Sequence, residues 1–297
     1  MDQKSSPATS DRRNFNRHED LRDLLVRFQE IGELEVIEGA DWNLEMAAVG
    51  ELVTAHNPGR APALLFDDIP GYPKGFRVLS GAANSYKRLA MVLGLPEPET
   101  AISFVQSYRD RMKTDFELIP PEEVKTGPIM ENIQRDAEVD ILKFPAPFIH
   151  EYDGGRYIGT DDIVIMKDPD TGWINAATYR IMVHDEKTAG IWISPGKHGR
   201  FIREKYFDKG EPCPVVVCCG QDPLLFLAGH AEIDHELSEF DYAGGHRGFP
   251  FDVIPSELHG LPIPSHAEIA FEGEIYPDET RTEGPFGEFM GYYASEA

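Results

Sequence analysis

The chain has 297 residues and a formal net charge of -24, from 52 acidic and 28 basic side chains. A surface of this sign repels nucleic acid and anionic membranes, so the charge argues against both as partners. No apolar run approaches the roughly 20 residues that span a bilayer. No apolar segment follows Arg12 and Arg13 as an export signal requires. We therefore expect a cytoplasmic protein.

The first part of the chain alternates between helical and strand patterns. A polar tail over residues 1–17, which we expect to be disordered, comes before the first apolar residues at helical spacing. The patterns predict helices over 21–31, 44–56, 86–93 and 99–113, and strands over 34–37, 63–66 and 76–79. This alternation is typical of an α/β domain, which we place at residues 18–125.

Short strands dominate the second part, residues 126–297, which follows a linker beginning at Pro120 and Pro121. Strands are predicted over 163–167, 174–183, 189–193, 214–219 and 267–275, with one helix over 200–207. The pattern favours a curled sheet or barrel with helical excursions, and the whole chain is predicted to be α+β.

Three cysteines, Cys213, Cys218 and Cys219, have neither the even count of a disulfide framework nor zinc-binding spacing. Two of them close the apolar run over 214–219, which reads as a buried strand. Inert core thiols are the favoured interpretation.

Two carboxylates near the C-terminus, Glu283 and Glu288, are separated by Gly284, Pro285, Phe286 and Gly287. Proline and glycine prevent a regular helix, so residues 283–288, here called the acidic loop, have a fixed path of another kind. Such a loop can aim both acids at one point, which proton transfer at a reacting carbon requires. The alternative from this segment alone is a solvated acidic turn.

Three ligand-type side chains lie in separate segments: Asn175, His198 and Glu239. An amide oxygen, an imidazole and a carboxylate together suit a hard divalent ion such as Mg²⁺ or Mn²⁺. A packed or loop histidine remains the alternative for His198. Arg180 is predicted on the same strand as Asn175, and residues five apart on a strand face opposite sides unless a bulge intervenes.

Four ordered motifs between residues 173 and 292 resemble the UbiD family of decarboxylases. They are Trp173-x-Asn175-x4-Arg180, Lys197-His198-Gly199, Ser238-Glu239-Phe240-x-x-Ala243-Gly244 and Glu283-Gly-Pro-Phe-Gly-Glu288-x-x-Gly-Tyr292. Weaker similarities are Phe144-Pro145 and Asp153-Gly-Gly-Arg-Tyr157. The resemblance implies an N-terminal α/β domain followed by a split β-barrel that binds prenylated FMN.

The same resemblance implies the binding residues. Asn175, His198 and Glu239 would hold a divalent metal, Mn²⁺ or Mg²⁺, that grips the cofactor phosphate. A K⁺ site would use the backbone around Trp173 and Ala228 together with Glu239, although Gly229-His230 matches the family loosely. The implied cofactor-binding residues are Asn175, Ala177, Thr178, Arg180, Lys197, His198 and Glu239.

The implied catalytic residues are Arg180, Glu283 and Glu288. Arg180 would receive the substrate carboxylate, Glu283 would hold and polarise Arg180, and Glu288 would return a proton after CO₂ leaves. The expected reaction is the reversible, non-oxidative decarboxylation of an aromatic (phenolic or heteroaromatic) or α,β-unsaturated carboxylic acid, so the enzyme would be a carboxy-lyase.

Two departures from the family pattern matter. Lys197 stands where several members have Gln, and it would meet the phosphate or an acidic substrate group unless it is simply solvated. The chain is also expected to lack the family's C-terminal domain, which makes independent activity uncertain. A homo-oligomer is expected of a full-length form. The alternatives are a partner-dependent cofactor-binding fragment without activity and a flavin-dependent oxidoreductase, and the retained acids with Arg180 argue against the latter.

Overall fold

A computed structural model describes residue 18 and residues 20–113, 117–288 and 290–295. The prediction of a disordered tail over 1–17 lies outside these residues. The α+β class predicted from the sequence is confirmed. The described strands form five small sheets and none of these closes into a barrel.

The first region contains four helices and three strands that match the predicted order. Its helices are α1 (Leu21–Glu30), α2 (Glu45–His56), α3 (Tyr86–Val92) and α4 (Ala101–Met112), and its strands are β1 (Leu34–Glu38), β2 (Ala63–Asp67) and β3 (Val78–Ser80). Strand β1 pairs with β2 in parallel, and β2 pairs with β3 in antiparallel. Helix α1 starts where the Asp20 side chain accepts a hydrogen bond from the Asp23 N–H at 2.9 Å. It ends before Gly32, which has a φ of 71°.

Within its described residues, the second region contains three further α-helices, three single-turn 3₁₀ helices and twelve short strands. The helices are α5 (His198–Asp208), α6 (Pro223–His230) and α7 (Glu239–Arg247). The strands are β4 (Glu122–Glu123), β5 (Arg156–Gly159), β6 (Ile163–Lys167), β7 (Ile174–Ala177), β8 (Ile181–Val183), β9 (Ala189–Ile191), β10 (Cys213–Cys219), β11 (Asp252–Pro255), β12 (Pro262–Pro264), β13 (Ile269–Ile275), β14 (Phe286–Glu288) and β15 (Tyr292–Ala294).

Two of the sheets position the candidate site. One has the order β13-β10-β6-β7, and the other has the order β5-β8-β9. Strand β10 is buried as predicted, and burial raises the pKa of the Cys218 and Cys219 thiols, which agrees with inert cysteines.

The single strand predicted over 174–183 is wrong. The chain leaves β7 after Ala177 and enters β8 at Ile181, and these strands belong to different sheets. The apolar residues on both sides of Thr178, Tyr179 and Arg180 produce a continuous β pattern in the sequence, because each strand is buried in its own sheet. Asn175 and Arg180 therefore lie on two sheets, and the rule of alternating faces along one strand does not relate them.

The helix predicted over 200–207 is longer at both ends in the structure, and two further helices follow it. Helix α5 begins at His198, so this histidine lies in the first turn and not in a preceding loop. Helices α6 and α7 were missed. Asp222, whose side chain accepts the Leu224 N–H at 2.8 Å, followed by Pro223 is a helix-start signal that identifies α6.

One cluster of buried apolar side chains joins the two regions. It includes Leu24 and Phe28 of α1 together with Ile165 of β6, Val216 of β10 and Phe240 of α7. The predicted boundary between domains at residues 125 and 126 stays a prediction. Among the described residues, no helix is both long enough and apolar enough to cross a membrane.

Arg88 of α3 is fully buried in the first region and connects its segments through backbone carbonyls. Its guanidinium donates to Ala82 O at 3.0 Å, Ala61 O at 2.7 Å and Gly81 O at 2.9 Å. It also donates to the Glu33 carboxylate at 2.7 Å. Each of these acceptors would lose a partner if the guanidinium were removed.

We expect Arg88→Met to lower the free energy of unfolding by roughly 3 kcal/mol, because it removes one buried donor from the Glu33 carboxylate and from three backbone carbonyls. Urea titration measures the loss. Arg109→Met is the control, since Arg109 is exposed and bonds only its neighbour Asp110, and it should change stability little. Equal losses in the two variants would contradict the assigned role of Arg88.

Candidate active site

Arg180 and Glu283 form a two-point ion pair. Arg180 Nε donates to Glu283 Oε1 at 2.7 Å, and Nη2 donates to Oε2 at 2.7 Å. The two side chains are 14% and 5% exposed, so the pair is largely shielded from water. Burial opposes the charge on Arg180, but the hydrogen bonds and charge of Glu283 outweigh it and raise the Arg180 pKa. Arg180 is therefore a fixed cation.

Glu288 approaches the same guanidinium from another side. Its Oε1 lies 3.8 Å from Arg180 Nη1, which is too long for a hydrogen bond. The Glu288 side chain is 34% exposed, in contrast to buried Glu283. One acid is thus locked to Arg180, and the other is close to it with its oxygens still accessible.

Two aromatic side chains complete the surroundings of this pair. The Tyr157 hydroxyl donates to Glu283 Oε1 at 3.0 Å, and the Phe286 ring centre lies 4.9 Å from the guanidinium carbon of Arg180. Burial, followed by the charge of Glu283, raises the Tyr157 pKa, so its hydroxyl keeps its proton and remains a donor. Glu283 consequently has three donors on its two oxygens.

The structure brings Asn175 and Glu239 together. Asn175 Nδ2 donates to Glu239 Oε1 at 2.8 Å, and the Ala176 N–H donates to Oε2 at 2.7 Å. Burial raises the Glu239 pKa to about 7 despite these hydrogen bonds. A nearby cation would favour its ionised form.

His198 is linked to this pair through neighbouring aromatic residues. Its ring centre lies 5.1 Å from that of Trp173, which is two residues before Asn175. The N–H of the next residue, Gly199, donates to the Tyr179 hydroxyl at 3.1 Å. Burial raises the Tyr179 pKa to about 12, and the charge of Glu239 adds to the rise, so Tyr179 lies near both segments. The convergence of His198 with the other two side chains on one ion stays a prediction.

The protonation state of His198 suits a ligand. Burial lowers the His198 pKa, and the positive charges of His235 and Lys197 lower it further. Neutral imidazole is the form that binds a metal.

The residues fit a divalent ion. Asn175 Oδ1 is buried and has no hydrogen-bond partner, and it belongs to the same side chain that contacts Glu239. A bound cation would satisfy this oxygen. Within the described residues, three or more His, Cys, Asp or Glu side chains do not gather around one point that could hold a metal, but the predicted set has only two residues of those types.

Three other predicted residues lie on the same segments. Ala177 ends β7, Thr178 follows it with Oγ1 3.4 Å from His230 Nδ1, and exposed Lys197 precedes the first residue of α5. A cavity of about 480 Å³ lies beside Trp173 and Ser238. Neither Arg180 nor Glu283 lines it.

Sequence reasoning assigned no role to Tyr157, Asp153 or His235, which the structure places at the site. Tyr157 and Asp153 belong to the Asp153-Gly-Gly-Arg-Tyr157 segment, which was noted only as a weak similarity. The His235 ring centre lies 5.5 Å from that of His198, and the sequence carries no spacing signal for it.

We expect Arg180→Met to lower the free energy of unfolding by about 3 kcal/mol, because Glu283 would remain buried without its cation. The double variant Arg180→Met with Glu283→Leu should regain much of that loss, since no unpaired charge remains. Urea titrations measure both. Arg281→Met, which breaks the exposed pair with Asp185, is the control and should matter far less. A double variant no more stable than Arg180→Met would contradict the argument.

Residues 26–107 match the 3-octaprenyl-4-hydroxybenzoate carboxy-lyase N-terminal domain, and residues 122–297 match the Rift-related domain of the same carboxy-lyase. The pyrrole-2-carboxylic acid decarboxylase of Pseudomonas aeruginosa is 35% identical over 281 residues, which cover 92% of this chain and 56% of that protein. The chain thus spans a little over half the length of the curated relatives it matches.

Two solved structures are similar over almost the whole chain. The vanillic acid decarboxylase of Sedimentibacter hydroxybenzoicus in closed form has a TM-score of 0.88 at 28% identity, covering 95% of this chain and 60% of its own. A UbiD-class enzyme of Pelotomaculum thermopropionicum, solved in an evolved dimeric form with prFMN, has a TM-score of 0.82 at 28% identity, covering 94% and 62%. The Rift-related match alone covers more than half of the chain and includes the residues of the site, so the chain belongs to the UbiD family.

Proposed function

We propose that this chain is the cofactor-binding part of a carboxy-lyase that uses prenylated FMN. The reaction is the reversible, non-oxidative decarboxylation of an aromatic (phenolic or heteroaromatic) or α,β-unsaturated carboxylic acid. The observation that carries the proposal is the Arg180–Glu283 pair with Glu288 at 3.8 Å from the same guanidinium. A flavin oxidoreductase has no need of this arrangement.

The free edge of Arg180 is the site for the substrate carboxylate. Glu283 occupies the Nε and Nη2 protons on one edge, which leaves Nη1 and the second Nη2 proton for a two-point contact. This edge faces Glu288, so the substrate's carboxylate-bearing carbon would lie beside that acid.

The chemical step divides between cofactor and protein. The bond between the substrate carbon and its carboxylate breaks, CO₂ leaves, and the electron pair remains with the substrate carbon. Prenylated FMN supplies storage for those electrons when it is bound. Glu288 then gives a proton to that carbon, and its accessible oxygens allow it to regain a proton from solvent. In the carboxylation direction Glu288 acts as the base.

Asn175, His198 and Glu239 would hold the divalent metal, Mn²⁺ or Mg²⁺, that binds the cofactor phosphate. Exposed Lys197 at the start of α5 adds a positive charge where the helix N–H groups already favour an anion. A K⁺ ion would use the backbone of Trp173 and Ala228 with Glu239. Helix α6 packs closely against β7 beside these residues, since a Cβ at Gly229 would lie 3.1 Å from Ala176 O.

The names of two relatives support the proposed substrate class. The names of the Pseudomonas aeruginosa and Sedimentibacter hydroxybenzoicus enzymes give a heteroaromatic and a phenolic acid, which supports the proposed substrate class. CO₂ is the second small-molecule partner. A homo-oligomer is proposed for a full-length form, with a domain boundary near residue 125. Cytoplasmic location stays a prediction.

If the phosphate is held through a metal, complete chelation should release the flavin or prevent its reconstitution. A dianionic phosphate would otherwise face Glu239 in a protein with a net charge of -24. Flavin fluorescence titration with and without metal measures this. His198→Ala should weaken flavin retention, and the exposed His56→Ala should not. Unchanged flavin affinity after metal removal, verified by metal analysis, would contradict the metal-bridged site.

Glu288→Gln keeps the size and polarity of the side chain but removes its titratable proton, so formation of the decarboxylated product from a substrate acid should vanish while flavin binding remains. The assay uses the complete gene product loaded with cofactor. Glu279→Gln, an exposed substitution, is the control. Formation of the decarboxylated product at the wild-type rate in Glu288→Gln would rule out this acid as the proton donor.

A further inference from the structure

Asp153 is a buried carboxylate beside the acidic loop, and the proposed mechanism gives it no role. It is 8% exposed and bonds two backbone N–H groups. Oδ1 accepts from Gly287 at 2.7 Å, and Oδ2 accepts from His150 at 2.9 Å. Gly287 immediately precedes Glu288. We propose that Asp153 is a positioning residue, which fixes the backbone from which Glu288 projects; the inference rests on the proposed function.

Glu288 needs such a support because its own side chain is weakly held. The 3.8 Å separation from Arg180 is no hydrogen bond, whereas Glu283 is fixed by Arg180 and Tyr157. The direction of Glu288 therefore depends on its backbone. Gly287 imposes little conformational restriction by itself, so its contacts must supply it, namely the pairing of β14 with β15 and the Asp153 hydrogen bond to its N–H.

The contact continues along the loop through the residue after Asp153. The Gly154 N–H donates to Pro285 O at 2.7 Å, and a Cβ at position 154 would overlap the carbonyl oxygen of Gly284. A Cβ at position 287 would likewise overlap the His150 ring. The backbone at Gly154 is thus in direct contact with the backbone at Gly284 and Pro285. These close contacts explain the glycines at positions 154 and 287.

His150 connects this contact to the first region of the chain. Its Nε2 lies 2.5 Å from Glu51 Oε1 on α2, and its ring is edge-on to Phe286 and Tyr293, with centres 6.4 and 6.2 Å away. The Asp153 carboxylate therefore accepts a hydrogen bond from a residue whose ring contacts three other side chains. This arrangement holds the Gly287 end of the acidic loop, whereas the ion pair with Arg180 holds the Glu283 end.

The first test is kinetic and uses the complete, cofactor-loaded gene product. Asp153→Ala should lower kcat about tenfold to a hundredfold, since small displacements of a catalytic group have such effects. KM and flavin affinity should stay within about twofold, because Arg180 and the metal residues are untouched. Asp153→Asn should retain more activity than Asp153→Ala, since its amide oxygen can still accept the Gly287 N–H although its NH₂ group cannot accept the His150 N–H.

Asp140→Ala is the matched control for general loss of stability. Asp140 is half-buried and accepts the Leu142 N–H at 2.9 Å, away from the site. It should lower the melting temperature without changing kcat at temperatures where the protein is folded. Wild-type kcat in Asp153→Ala, or a rise in KM with unchanged kcat, would overturn the proposal while leaving the decarboxylase function intact.

Hydrogen exchange provides a second test that does not need turnover. The Gly287 amide should exchange faster in Asp153→Ala than in wild type, and Asp153→Asn should remain protected. Equal protection of Gly287 in Asp153→Ala would overturn the proposal. A wild-type protein that exchanges no CO₂ into any acid tested, yet shows the expected Gly287 protection, would instead refute the proposed function.

Discussion

The two-point contact between Arg180 and Glu283 determines where the acidic loop lies. It joins the start of β8 to the chain near its C-terminus, across 103 positions of sequence. Both charges are shielded from water, so neither is stable there without the other. Tyr157 depends on the same contact, because its hydroxyl donates to the oxygen that Arg180 Nε also contacts. The orientation of β5, β8 and the acidic loop therefore follows from one buried charge pair.

A second constraint is the burial of negative charge in a strongly acidic protein. Glu239 is almost inaccessible, and its pKa rises to about 7 because water no longer solvates its carboxylate. The structure surrounds it with the Asn175 amide and the Ala176 N–H. Such donors and ligands stabilise a carboxylate best when a cation is present. The proposed cofactor phosphate would therefore need positive charge from Lys197, Arg180 and the proposed metal ion.

The sequence predicted the elements whose burial pattern is local. The helical spacing of Leu21, Leu24, Leu25 and Phe28 and the apolar run of β10 each correspond to one face or one layer, and both were confirmed. The predicted strand over 174–183 was wrong because two strands that are buried in different sheets look continuous in sequence. Helices α6 and α7 were missed because their apolar residues are not confined to one face and α7 contains adjacent glycines.

Only the candidate site residues that belong to the sequence motifs could be predicted. The pairing of Arg180 with Glu283 and of Asn175 with Glu239 agrees with the family order of those residues. The donors from Tyr157, Gly287 and Gly199 could not be predicted, since hydrogen bonds between segments depend on tertiary packing that no short pattern encodes. His198 at the first position of α5 shows the same limit, because Pro195 and Gly196 favoured a loop.

The core that joins α1 to β6 and β10 makes folding cooperative across the predicted domain boundary. Leu24 and Phe28 are completely inaccessible to solvent, and they share a cluster with the sheet that carries Asn175. Unfolding α1 would expose apolar surface on that sheet as well as on the helix. We therefore expect the first region and the sheet that carries Asn175 to unfold together. A substitution that destabilises α1 would therefore also destabilise the sheet that carries Asn175, one of the proposed metal-binding residues, although α1 does not contain any of them.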